Sequence, residues 1–174
     1  AQAILKVNKS EKTTLSINAD DKVFYQPGKN KVTFEGNCVC SFADSNNPRP
    51  SILKSPKIIA SLAEQSSSDK LQIDNVTALG KSAVKLYPPK SPDVPVTINA
   101  REKIEYLPAV NKILFQGNCL VNQHADLTLQ APKLTADIEK STISHMLAQG
   151  ENVILTYLKN NLTPSDDIEK VEFI

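Results

Sequence analysis

The sequence has no tryptophan, one methionine and two histidines. No apolar run approaches the roughly 18 to 20 residues that a membrane-crossing helix needs, which excludes such a helix from the 174 residues given. An excess of charge is lacking too. With 20 Lys and Arg against 19 Asp and Glu the formal net charge is +1, so no global field points to nucleic acid or to an anionic membrane surface, and a charged ligand would have to be met locally. The opening AQAILKVNKS has neither the charged n-region nor the continuous apolar stretch of a secretory signal, as would also be true of a processed chain.

Motifs for bond-making chemistry are equally scarce. No glycine-rich phosphate loop follows a strand and opens a helix, and the GKS at Gly80 to Ser82 lacks the upstream glycine of a P-loop. The carboxylate pairs Asp20 and Asp21, Asp166 and Asp167, and Glu102 and Glu105 have no histidine in the same motif, and adjacent residues of a strand point to opposite faces. Solvated side chains are expected there. A zinc site could be drawn from Cys38, Cys40 and Cys119 with His124 or His145, but the paired Cys or His spacings on turns are missing. His124, in a turn, and His145, in an apolar-patterned stretch, read as surface or edge residues. Neither a metal nor a cofactor is implied. Three cysteines leave at least one thiol unbridged. Cys38 and Cys40 would lie about 6.5 to 7 Å apart at Cα on an extended strand, at or beyond the disulfide limit. All three are expected to be buried free thiols acting as small hydrophobes.

What is present is strand-forming: many Val, Ile and Thr, with Asn, Ser and Asp as punctuation and 11 prolines that interrupt any long helix. The chain reads as all-β, and it is duplicated. INADDKVFYQPGKNKVTFEGNC, from Ile17 to Cys38, aligns without a gap on INAREKIEYLPAVNKILFQGNC, from Ile98 to Cys119, with 12 of 22 positions identical. Unrelated segments would share about one. Further on, SPKIIASL from Ser55 answers APKLTADI from Ala131, and IDNVTALG from Ile73 answers ISHMLAQG from Ile143. Gly36 thereby matches Gly117, and Gly80 matches Gly150; glycine inside a strand marks a bulge, a bend or a close approach. Gly28 belongs to a plain turn, QPGKN. The repeats are expected at approximately 1–80 and 81–174 within one β domain. The opening AILKV resembles AVKLY from Ala83, and the closing DIEKVEFI stops where a glycine is due, as expected of two repeats taken from a longer array.

Alternation assigns the faces. Val32, Phe34, Gly36, Cys38 and Cys40 share one face, against Thr33, Glu35 and Asn37 on the other, with Val39 an exception. The inward apolar set is Ile17, Ala19, Val23, Tyr25, Val32, Phe34, Cys38, Ile58, Ala60, Ile98, Ala100, Ile104, Tyr106, Ile113, Phe115, Cys119, Val121, Leu127, Leu129, Leu134 and Ala136. Between Ala131 and Leu134 the parity slips at Pro132, which predicts a corner where a strand passes from one layer to another. Short strands with one apolar face each and turn signals every 8 to 12 residues or so predict an antiparallel sandwich, jelly roll or solenoid whose end strands invite edge pairing. Lys22 and Lys103, Lys31 and Lys112, and Lys57 and Lys133 recur with the repeat. They are expected to keep outward faces soluble, or alternatively to meet phosphates at a groove mouth.

The succession of AREKIEY, ILFQGNC and LTLQAPKLTADI through two copies resembles the OstA-like, or LptA-like, family of periplasmic lipopolysaccharide transport proteins over nearly the whole chain. The resemblance implies an antiparallel β-jelly-roll, or "β-taco". Its inward set would be the lipid-binding residues, sheltering acyl chains of lipopolysaccharide or another acylated lipid. It further implies a periplasmic location, no catalysis, head-to-tail homo-oligomers and edge-strand addition to other transport components. Cys38 and Cys119 stand where the family has an aliphatic residue after Gly-Asn, and the loop SFADSNNPRPSI is long for it. Apart from any family, a groove wider than its own side chains can fill is a place for an apolar ligand. If the stripes instead pack on each other, the same strands make a structural β-repeat scaffold or adhesin-like segment with a closed core and protein partners only.

Overall fold

The computed structural model describes residues 3–10, 13–44, 47, 49–63, 72–88, 93–123, 127–139, 142–157 and 171–173. Among these the strands are β1 (Ala3–Ser10), β2 (Thr13–Ala19), β3 (Lys22–Gln26), β4 (Lys31–Asp44), β5 (Ser51–Leu62), β6 (Ile73–Leu79) and β7 (Ser82–Leu86). They continue with β8 (Val96–Ala100), β9 (Lys103–Leu107), β10 (Lys112–Gln123), β11 (Leu127–Glu139), β12 (Thr142–Gln149), β13 (Ile154–Tyr157) and β14 (Val171–Phe173). A single 3-10 turn, Pro27–Lys29, separates β3 from β4; Asn30 ends it in the left-handed region. Every pairing is antiparallel except that of β14 on β12.

The long strands β4, β5, β10 and β11 each belong to three ladders, one edge being shared between two different strands, which folds the sheet into two layers. The first half of β4 pairs with β3 and its second half with β2; β10 divides likewise between β9 and β8. β5 gives its first half to β7 and its second to β6, and β11 does the same with β13 and β12. The layers therefore meet along a corner that the chain crosses at equivalent places in the two repeats. With β7 on β8 and β6 on β9, hydrogen bonding closes into a ring through β5 and β10.

The corner is built from Gly-Asn opposite proline. On β4 the register shifts between Glu35 and Cys38, on β10 between Gln116 and Cys119, and the bulged residues Gly36, Asn37, Gly117 and Asn118 all have positive φ. Two residues bulge against one, Pro56 on β5 and Pro132 on β11, so the inward parity of β4 is kept while that of its partner slips, as the pattern around Pro132 predicts. At Gly36 a Cβ would stand 2.6 Å from that of Asp21, so both the backbone conformation and the space require glycine. The turn at Asp20 and Asp21 docks on the bulge through Asp20 N–H to the Gly36 carbonyl, 3.0 Å, and Arg101 N–H repeats the contact on Gly117 at 2.7 Å.

The core runs unbroken through both repeats, with Ile17, Phe34, Ile58, Ile98, Phe115 and Leu134 among its most enclosed side chains. Full burial of such a side chain contributes about 1.5–3 kcal/mol. A buried side-chain tie crosses the repeat junction. Buried Ser82, at the start of β7, lies 2.9 Å from Ser55 Oγ of β5, which in turn lies 3.1 Å from the Leu79 carbonyl. Ala131 holds the place of Ser55 in the second repeat, so this tie has no copy there.

Candidate functional site

The interior between the layers gathers most of the inward set. Ile17, Ala19, Val32, Phe34, Cys38, Ile58, Ala60, Ile98, Ala100, Ile104, Ile113, Phe115, Cys119, Val121, Leu129, Leu134 and Ala136 are all buried. Tyr106 and Leu127 are half-buried. Val23 and Tyr25 are the exceptions, at 38% and 52% exposed. Their register opposite Phe34 and Val32 keeps them on the apolar face, as alternation assigns them, although neither is enclosed. The reason is the edge. Among the described strands β3 has one hydrogen-bonded neighbour, β4, whereas its counterpart β9 lies between β10 and β6, and a strand at the end of a sheet lacks the second neighbour that would cover it.

Near the corner the interior is filled: Phe34 and Phe115 have no exposure at all. Farther out lies an apolar cleft of about 70 Å³. It is lined by Leu15, Cys40, Phe42, Leu53, Val84 and Leu86 from one layer and by Val76, Ile104, Tyr106, Ile113 and Ile138 from the other. Leu15, Cys40, Phe42, Leu53, Val76, Val84, Leu86 and Ile138 are outside the inward set drawn from the sequence, although alternation already placed Cys40 on the inward face. Their signal was the same alternation carried further: Leu15 precedes Ile17 by two, Phe42 continues Phe34, Cys38 and Cys40, and Val84 and Leu86 alternate in AVKLY. Ser51 supplies a hydroxyl, and among the described residues no charged side chain reaches the lining.

The three cysteines are free and buried. Burial pushes the Cys40 thiol up to about 12 and the Cys119 thiol to about 11, and raises that of Cys38 in the same way. Protonated thiols are poor nucleophiles and poor metal ligands. Cys38 Sγ stands 3.7 Å from the Pro56 carbonyl and Cys119 Sγ 3.7 Å from the Pro132 carbonyl. The Gly-Asn-Cys cysteine thus directs a weak S–H donor at the corner proline in both repeats, a contact an aliphatic residue cannot make. Among the described residues no three His, Cys, Asp or Glu come together in a way that could hold a metal ion.

The outward faces carry the charge. Lys57 pairs with Glu35 at 2.8 Å, Lys103 with Glu105 at 2.6 Å and Lys112 with Asp137 at 3.3 Å. His145 of β12 sits opposite Asp137, Nδ1 to Oδ2 3.2 Å. Partial burial works against the Asp137 carboxylate, but His145 and Lys112 together hold it below its ordinary range. The hydrogen bond and charge of Lys57 do the same for Glu35. Asp166, Asp167 and His124 lie outside the described residues. On the lip of the first layer, Asn47 Nδ2 donates to the Tyr87 carbonyl at 2.7 Å, and Arg49 and Lys85 each stand 5.6 Å from the centre of the Tyr87 ring.

A folded antiparallel sheet of tandem repeats with an apolar interior defines a class of β-jelly-roll. The chain takes the LptA-like form of that class. It is similar in fold to LptH, described as the LptA-homologous periplasmic component of the conserved lipopolysaccharide transport device of Pseudomonas aeruginosa. The TM-score is 0.60 at 13% identity, over 83% of this chain and 95% of that one. Eleven chains of solved structures match. No family model and no curated protein sequence matches. No helix among the described residues is long and apolar enough to cross a membrane.

Proposed function

We propose that this chain is a non-enzymatic, periplasmic lipopolysaccharide-binding transport module, a single domain of two repeats at about 1–80 and 81–174 that shelters acyl chains between its layers. The observation that carries the reading is the fold match to LptH over nearly all of that chain, joined to an interior whose open side ends in a cleft that, among the described residues, has no charged side chain in its lining. The site would be the inward set together with Leu15, Cys40, Phe42, Val84 and Leu86. Apolar burial sets the affinity: at about 0.8 kcal/mol per methylene, a chain of a dozen carbons gains up to about 9 kcal/mol, whereas a cation near a phosphate adds on the order of 1 kcal/mol. The cleft of 70 Å³ is under half the size of the ~150 Å³ cavities that admit benzene, so an acyl chain requires the layers to part on the side away from the corner.

Assembly head to tail, or with other transport components, would use the end strands. β3 exposes Val23, Phe24 and Tyr25, and β13 at the other end exposes Ile154 and Leu155. The fully enclosed Phe34 and Phe115 favour a second reading, a scaffold with a closed core and protein partners only. Titration with lipopolysaccharide and with its delipidated polysaccharide separates the two. Binding of the first alone is expected; equal binding of both, or of neither, would sink the acyl-chain reading.

A further inference from the structure

We infer that Phe42 and Tyr106 form a latch across the open side of the interior, and that the acyl chain of an anionic amphiphile enters between them at the repeat junction. The ligand class rests on the lipid-binding reading under Proposed function. Phe42 lies on the second half of β4, in the first repeat and the first layer; Tyr106 lies on β9, in the second repeat and the other layer. Their strands are not hydrogen-bonded neighbours. Even so, the rings meet edge to face with centroids 6.1 Å apart and planes at 68°. On the corner side four strands run continuously from layer to layer, so the layers cannot separate there without breaking ladders. On the far side this contact is made by side chains alone, which rotate far more easily than a ladder melts.

Both rings line the cleft, between Leu15, Cys40 and Leu86 on one wall and Ile113 and Ile138 on the other. The enclosed part of the site therefore excludes a head group and accepts a methylene chain. The lip has the complementary property. Tyr87, next after Leu86, has Arg49 and Lys85 each 5.6 Å from its ring centre, and Asp93 pairs with Arg49 at 2.7 Å, so among the described residues this cluster holds two cations and one carboxylate. A ligand with its chain at the latch and its head in water at this lip is favoured when the head is anionic. Loss of one ring of an edge-to-face pair corresponds to about a 2- to 10-fold shift in the latch equilibrium.

Because the chain has no tryptophan, single Phe42→Trp and Phe24→Trp variants of the full chain each carry one reporter, the second on the free edge strand β3. Titration with a brominated C12 fatty acid is expected to quench the residue-42 reporter saturably and to leave the residue-24 reporter bright. In a parallel series, stopped-flow uptake of a fluorescent fatty acid is expected to be about 2- to 10-fold faster in Tyr106→Ala than in the natural protein, and faster in Tyr106→Ala than in Tyr106→Phe, which keeps the ring. Equal quenching of both reporters, or equal uptake by the alanine variant and the natural protein, overturns the latch. If lipopolysaccharide binds and the fatty acid does not, the latch falls while the transport reading stands. If neither binds, both fall.

Discussion

At the residue scale, the Gly-Asn-Cys phrase is a corner piece in which each residue has a separate task. Gly36 and Gly117 supply positive φ at a site with no room for a side chain, Asn37 and Asn118 follow in the left-handed region, and the cysteine returns inward with its thiol on a proline carbonyl. Gly36→Ala should cost about 1–3 kcal/mol in urea unfolding, whereas Gly28→Ala, where a Cβ meets open space, should change stability little. A loss no larger at Gly36 than at Gly28 would remove steric necessity from the account. The thiols make a pH prediction. The folded protein raises Cys40 from 9.0 to about 12, so it keeps a proton that the unfolded chain releases. Stability is then full below about pH 9 and falls as pH rises towards 12. Cys40→Val should flatten that alkaline decline, measured as urea midpoints from pH 7 to 10.5.

At the element scale, alternation told which side of each strand faces inward but not whether anything stood beside it. β3 and β9 carry closely related sequences, yet Val23 is exposed and its counterpart Ile104 is buried, because only β9 has a strand on both sides. The same geometry makes β3 and β13 the joints under the assembly proposal. Phe24→Lys should weaken any concentration-dependent association seen by sedimentation, since charge on an edge opposes strand pairing. β14 lies parallel on β12, on the strand whose counterpart β6 carries β9. Deleting residues 171–174 should therefore strengthen head-to-tail association, and unchanged sedimentation of both variants would remove edge pairing through these strands.

At the scale of the whole molecule, the two repeats share one ladder and one interior. β6 pairs with β9 and β7 with β8 across the junction, and Val76 and Ile104 are buried there. Unfolding should be a single transition in which far-ultraviolet circular dichroism and tyrosine fluorescence coincide. Ile104→Ala, at the junction, should lower stability by about 2–5 kcal/mol without splitting the transition. Two separated transitions would mean that the repeats hold together less than their shared core implies.

The sequence by itself determined the all-β class, the duplication, the inward parity of nearly every strand and the corner at Pro132, because these follow from local steric rules and from a period of two that any reader can count. It carried the resemblance to the LptA-like fold in the order of its phrases. Tertiary structure alone decided which inward side chains are enclosed, how little space remains between the layers and which ring meets which. Phe42 and Tyr106 are 64 positions apart and lie on strands that do not pair. Their contact depends on the angle at which two layers close over a corner, a quantity set by all the packed side chains together.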